Sequence, residues 1–387
     1  MIKTLTAYTH EVDDLEEAIA SVLDQLDIEH NLLANAVGIV ACHYEFFYSG
    51  AAKAICEALP FDVVGATTIS QALPGISDEM MFSIMVLTSD TDTFTTCLTD
   101  KTTGDPEGAI CTAYQHVANQ LKTKPSLALM YAPLVRGDSG DGYVSAFTEV
   151  SGGVACFGTL AIDDTDELAH CYMLFNGEHY NDRIGLVLIH TDATPHFFIA
   201  TISESKIMKK TALITKSVGN LLMEVNGNPV DQYFSDLGLA GARAGQYDMA
   251  ALPFLLDYGD GTPKVSKVFV AHTPEKYAVC AGLIPEGATM YVGVFDKEDV
   301  LYTTGKAIDE ALEVIEGASC ILGFCCVARS ISLGVDNMAE MELIRDKVGD
   351  KLPFMAISSG GEICPTQISN ARAINRFHNN AFIICVL

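Results

Sequence analysis

The chain has 387 residues, 49% apolar and 19% charged, a balance that excludes disorder and provides for two or three domains with cores of their own. Fifty acidic residues against 23 basic ones give a net charge of −27. That field repels phosphate backbones and anionic lipid heads, so no nucleic-acid partner and no direct membrane insertion are expected.

The longest apolar runs, at 184–189 and 381–387, are strand-sized, well short of the ~20 residues that span a bilayer. The opening MIKTLTAYTHEVDD has no apolar signal core, which leads to the expectation of a cytoplasmic protein. Twelve cysteines form no Cys-x-x-Cys pair and no zinc-type Cys/His ladder, and most sit in apolar stretches such as VACF and IICVL. They read as small core residues in a reducing compartment.

In chain order, residues 3–7 read as a strand and 12–25 as a helix, with Leu15, Ile19, Val22 and Leu26 at helical spacing. Residues 36–42 are a buried strand, 46–59 a helix stopped by Pro60, and 61–67 and 81–87 strands joined through a loop holding Pro74 and Gly75. A second cycle runs through a helix at 106–122, a strand at 126–132, the loop GDSGDG at 137–142, a helix at 143–150 and strands at 154–162, 169–175, 183–190 and 196–202. A third has a strand at 289–296, a helix at 302–316, a strand at 320–327, a helix at 337–348 and strands at 354–358 and 381–387.

The three cycles share a pattern: a small-residue strand, a helix, then a second strand rich in Gly, Ala, Ser and Thr. Those second strands are DVVGATT at 62–68, GVACFGT at 153–159 and PFMAISS at 353–359. Repetition at ~100 residues points to duplicated subdomains rather than a solenoid. The expected class is α/β (mixed α+β), in two halves built from repeated strand-helix-strand units with mixed sheets and a ligand cleft between units. The boundary is placed at 220, after the basic patch SESKIMKKTA, giving domains 1–220 and 221–387.

At 221 the chain reads LLMEVNGNPVDQYFSDLG, a strand, an Asn-Gly turn and a helix opened by Pro229. Earlier in the chain stand GDG at 140–142, a helix and Gly152-Gly153; later come FCCVAR at 324–329, Leu333-Gly334 and a helix carrying Glu340 and Glu342. GEI at 361–363 and NRFHN at 375–379 close the series. Taken in this order, the stretches resemble the FIST family over nearly the whole chain. The resemblance implies a ligand-sensing module of signal transduction, of the stand-alone bacterial type, that binds an amino acid or similar metabolite and signals through a separate output protein. Two departures stand out: ISQA at 69–72 occupies a place where the family carries Gly-Glu-Ile, and SSG at 358–360 lacks the usual aromatic.

Candidate ligand contacts follow. Arg329, after an apolar strand, offers a fork for a carboxylate. Glu362, beside Gly361 in a Gly-rich loop, could accept an ammonium, and the two together would suit a zwitterion; their alternative is to pair with each other or with neighbouring charges. Asp141 and Gly142 belong to a loop that either caps the next helix or holds an ammonium, since it lacks the Gly-Lys-Ser/Thr of a phosphate loop and Asp138 and Asp141 repel phosphate. Cys325 and Cys326 must face opposite sides of a strand, so one lines a pocket or both pack; thiol catalysis would need a lowered pKa. His378 and Asn379 precede the last strand. His378, with His43 and His190 behind it, is the candidate axial ligand if the cofactor were haem, against a plain hydrogen-bonding role. No Gly-x-Ser-x-Gly elbow and no His-Glu-x-x-His helix is present. The readings that compete with a sensor are a haem gas sensor, a thiol enzyme and a scaffold; a homo-oligomer is left open.

Overall fold

The computed structural model describes residues 1–119, 121, 123–135, 139–238, 253–369 and 372–387. Helix takes 27% and strand 38%, the mixed α/β class expected. Each of the three cycles becomes a sheet around a parallel strand pair. The pairs are Asn35–Cys42 with Val63–Thr67, Leu127–Ala132 with Ala155–Leu160, and Ile321–Cys326 with Phe354–Ser359. A return strand runs antiparallel beside the first member of each pair: Phe82–Ser89, Gly185–His190 and Phe382–Val386. An outer strand completes that side: Lys3–Thr9, Thr93–Leu98 and His196–Ala200. The small second strands singled out in the sequence are the second members of the three parallel pairs.

The other side of each sheet is completed by a different unit. The hairpin Gln71–Leu73/Ile76–Asp78 of the first unit pairs with the third unit's Phe354–Ser359. Met173–Phe175/Glu178–Tyr180 of the second pairs with the first unit's Val63–Thr67. Glu362–Ser369/Arg372–His378 of the third pairs with the second unit's Ala155–Leu160. The hairpins thus pass around a closed ring of three.

This ring explains why the strands are apolar on both faces, with all eight residues of Phe82–Ser89 buried. One face of each sheet looks into a shared central core, where Val37, Tyr131, Phe157, Phe324 and Ile383 meet. The opposite face lies under the unit's own helices: Leu15–Leu26, Pro106–Ala118 with Gly140–Val150, and Lys297–Leu312 with Ala339–Val348. An Asp caps the leading helix in every unit, Asp14, Asp105 and Asp296, each accepting a main-chain N–H three residues on.

A fourth sheet of eight strands, between 207 and 293, is inserted between the third unit's outer strand and its leading helix. Its strands Ile207–Val218 and Leu221–Val225 pair with each other across residue 220. The turn at Asn226-Gly227 has φ of 54° and 77°, as an Asn-Gly hairpin requires, and helix Val230–Asp236 follows as expected.

Several expected elements differ. The helix at 46–59 is two pieces, Glu45–Tyr48 and Ala51–Glu57, broken at Gly50 (φ 85°). The loop around Pro74-Gly75 is the exchanged hairpin. Residues 140–142 are the first turn of helix Gly140–Val150, capped by Ser139, and not a loop; Gly137 and Asp138 lie outside the described residues. Glu362 opens a strand instead of sitting in a loop, and residues 375–378 belong to strand Arg372–His378.

Candidate functional site

At the carboxyl ends of the parallel strands the central core gives way to a polar layer. Register places Tyr131, Thr159, Glu362 and His378 directly opposite one another across four neighbouring strands, hence on one face. Thr159 Oγ1 donates to Ser359 Oγ (2.8 Å), which donates to the Gly361 carbonyl (2.8 Å). Ser358 and Ser70 join hydroxyls at 2.6 Å, and Thr68 Oγ1 donates to the Ser358 carbonyl at 2.9 Å. All three units therefore contribute hydroxyls to this layer.

Gly361 is needed where it stands, because a Cβ there would run into the Phe377 ring, and one on Gly140 would meet the same ring. The close approach brings Glu362 in with no exposure. Its Oε2 accepts the Ala381 N–H at 3.4 Å and its Oε1 has no partner among the described residues. Burial pushes its pKa well above the usual carboxylate range; Ser359, the Cys326 thiol, the Ala381 amide and the Arg329 charge pull the other way without prevailing. His378 is equally buried, and its pKa falls to about 3, through burial first and then the Lys267 charge. The Cys364 main chain opposes that fall, but neither ring nitrogen has a partner at hydrogen-bonding geometry. The imidazole is thus neutral near pH 7, and burial favours the protonated form of the acid.

Their neighbours are also incompletely bonded. Asn379 N–H donates to the Ser266 carbonyl (3.0 Å), yet Asn379 Oδ1, Ser266 Oγ and both amide atoms of Asn380 lack partners. Seven of the twelve buried side-chain polar atoms without a partner among the described residues belong to Ser266, Glu362, His378, Asn379 and Asn380. Buried polar atoms are nearly always paired, so their concentration in one place marks it. Ser266 comes from the inserted sheet, as does Lys267. The Lys267 ammonium, fully buried, donates to Asp141 Oδ1 and Oδ2 (3.0 and 2.9 Å) and to the Phe377 carbonyl (2.9 Å). Asp141 also accepts the Leu283 N–H at 2.8 Å. The second unit, the inserted sheet and the third unit's hairpin are bolted together beside the layer.

Of the residues expected from the sequence, Gly361, Glu362, Cys326, His378 and Asn379 meet here, and Asp141 stands one step away through Lys267. Arg329 does not join them. It is buried against Glu340 (Nε to Oε1, 2.8 Å), the Thr304 hydroxyl (2.6 Å) and the Val300 carbonyl (3.1 Å), so Nε and Nη2 are engaged within the third unit, while Nη1 has no partner among the described residues. Gly142 sits in the helix's first turn towards Glu107. Cys325 and Cys326 face opposite sides as strand alternation requires: Cys325 packs in the third unit's outer core, Cys326 against Val268 and Ala328. Burial raises both thiols well above their ordinary pKa, the reverse of what a thiolate nucleophile needs. Around His378 stand an acid, two amides, a serine and an ammonium, not the apolar slot a porphyrin requires, so these residues do not fit haem. Sequence reasoning missed Ser266, Lys267 and Asn380; the one available signal was a lysine inside the apolar run VSKVFVAH.

A FIST N domain model matches residues 36–228 and a FIST C domain model matches residues 229–365. The chain belongs to the FIST family, whose domains are associated with sensing in signal transduction. No curated protein matches the chain by sequence. Among the described residues, no helix is long and apolar enough to cross a membrane, and no cluster of His, Cys, Asp and Glu is arranged to hold a metal ion.

Proposed function

We propose that the chain senses a small uncharged metabolite, bound in the polar layer between the three units. The observation that supports this reading is the gathering of seven unpartnered buried polar atoms on Ser266, Glu362, His378, Asn379 and Asn380. A carboxyl that burial pushes toward its protonated form, a neutral imidazole, a hydroxyl and two amides offer both donors and acceptors. An amide or ureide matches that set. A free amino acid fits less well, because Arg329, the guanidinium that would receive its carboxylate, is bonded to Glu340. Elements from separate parts of the ring line the layer, so a ligand that prefers one arrangement of them shifts the population toward it, and a partner protein reads the shift.

The test is thermal unfolding against a panel of neutral amides and ureides, amino acids and haemin. A ligand at ~100 times its Kd adds about 2.7 kcal/mol, or roughly 3 °C at ~2.1 cal/mol/K of unfolding entropy per residue. A shift with uncharged amides that disappears in His378→Leu and Glu362→Ala is the expected result. A shift confined to amino acids, retained in both variants, would place the ligand elsewhere.

A further inference from the structure

The three units carry the same outer strand beside the same leading helix, and the ring's pseudo-symmetry permits residue-by-residue comparison. In the first unit Tyr8 lies opposite Ser83, one position from the end of the pairing at Thr9 and Phe82. In the third unit Ile199 lies opposite Ile383, one position from the end at Ala200 and Phe382. Tyr8 and Ile199 are therefore equivalent. Counting from the capping aspartates, positions four, eight and twelve are Ala18, Val22 and Leu26 in one helix and Val300, Thr304 and Ile308 in the other, all buried. Position eleven is Gln25 in the first helix and Ala307 in the third.

Gln25 performs a specific task. Its carbonyl accepts the Tyr8 N–H at 3.1 Å and its amide donates to the Tyr8 carbonyl at 2.7 Å. A side-chain amide thus makes the two bonds that an added strand would make, and closes the outward edge of the sheet. The second unit has the polar His116 at the same helical position. Ala307 cannot reach the main chain of Ile199. In place of the closure there is an open groove of about 750 Å³ along residues 199–206 and the helix, with Ile199, Thr303 and Ala307 in its lining. The outward N–H and C=O of Ile199 face it, as those of Tyr8 face Gln25. Unpaired edges are templates for another strand, which proteins ordinarily blunt.

We propose that this edge is a docking site for an extended, basic segment of a partner protein, which adds to the third unit's sheet as a further strand. The choice of partner follows from charge. Glu204, Glu298, Asp299 and Glu310 line the groove against Lys206 and Lys306. Lys206 is already paired with Asp296 at 2.5 Å and Lys306 with Glu310 at 3.6 Å, which leaves Glu204 and Glu298 as lining acids outside an ion pair among the described residues, and the chain as a whole carries −27. A second copy of this chain would bring the same acidic lining to the interface and is disfavoured. The site needs no occupant in the polar layer and stands independently of the ligand reading.

The experiment uses the full chain and a fluorescent eight-residue peptide of alternating Lys and Val, with a twin N-methylated at alternate residues. Binding of the plain peptide, weakened about tenfold or more by N-methylation and by Ala307→Gln, is expected, since either change removes main-chain bonds. Ala307→Gln installs the amide that closes the first unit's edge at a helix position that tolerates Gln, and circular dichroism confirms that the variant is folded. Equal binding of both peptides would reduce the attraction to charge alone and overturn the proposal. So would unchanged binding to folded Ala307→Gln. Concentration-dependent dimerisation abolished by Ala307→Gln would name a second copy as the occupant and equally overturn it.

Discussion

Replacing Asp141 by Asn removes the carboxylate that faces Lys267, and the two sides of this pair are not equally exposed. The Lys267 side chain is 0% exposed and that of Asp141 13%. In Asp141→Asn the ammonium stays buried with no counter-charge, keeping the Phe377 carbonyl and one amide oxygen as acceptors, and its side chain has no exposure to water. Leaving one member of a buried pair uncompensated costs ~3–5 kcal/mol. In Lys267→Met the charge itself is gone, the stem is replaced by apolar volume, and Asp141 keeps the Leu283 N–H at 2.8 Å, the Ser139 hydroxyl at 3.0 Å and access to solvent. That loss is ~1.5–3 kcal/mol, the scale of a hydrogen bond to a charged group. With ~2.1 cal/mol/K per residue, the unfolding entropy of 387 residues is about 0.8 kcal/mol/K. The midpoint should therefore fall by ~4–6 °C in Asp141→Asn and by ~2–4 °C in Lys267→Met, and the double variant should recover most of the difference. Thermal melts followed by circular dichroism and calorimetry measure this. If Lys267→Met costs as much as Asp141→Asn, burial of the ammonium does not govern the pair and the reasoning fails.

Two further outcomes are expected. His378 has a folded pKa of about 3 against ~6.5 when unfolded. The unfolded chain then binds the extra proton, so stability falls as pH drops from about 6.5 towards 3, and His378→Leu should flatten the pH dependence of the melting temperature in that window. Glu362 has the opposite sign: its pKa is raised on folding, so its contribution is complete below the unfolded value of ~4.3 and is lost as pH rises through the folded one. Glu362→Gln should remove that loss, and an unchanged profile in either variant would refute the corresponding assignment. Second, eleven of the twelve cysteines are buried, with Cys111 partly exposed, and burial raises its thiol pKa, helped by Glu149, Glu107 and Asp105. Iodoacetamide at neutral pH, read by mass spectrometry, should label Cys111 slowly and the others only in denaturant; rapid native labelling of Cys326 would restore the thiol-enzyme reading.

The parallel strand pairs were legible because strands buried on both faces read as unbroken apolar runs of small and branched residues. The exchanged hairpins were not. Gln71–Leu73 and Met173–Phe175 are three residues long, too short for a period, and their partners, such as Ile357 for Gln71, lie in another unit. The third leading helix began five residues earlier than expected, because its acid-rich first turn lacks an apolar stripe; Asp299 is nevertheless buried there, bonded to the Ser203 N–H and hydroxyl. Gly360-Gly361 reads as a loop in sequence, whereas Gly361 is small because Phe377 crowds it. Glu362 and His378 could be picked out one by one as polar residues beside apolar strands. Their cross-strand pairing depends on register, and Ser266, reaching the layer from a poorly patterned segment, carried no signal.

The circular exchange of hairpins also bears on how the chain can be made. Ser70 waits for Ser358, 288 residues further on, before its hydroxyl is satisfied and the hairpin after it joins a sheet. Contacts so distant in sequence cannot form while the chain is still short, and non-local pairing is slow even afterwards. During synthesis the first unit therefore presents an unpaired hairpin, and its own sheet stays unfinished until residues 173–180 are made. The hairpin 362–378 finds its place on the second unit only after residue 378 is made, more than 200 residues beyond its partner strand Ala155–Leu160. Closure of the ring consequently comes late, and a chain stopped short of residue 362 would lose the hairpin that completes the second unit's sheet and the strand Phe382–Val386.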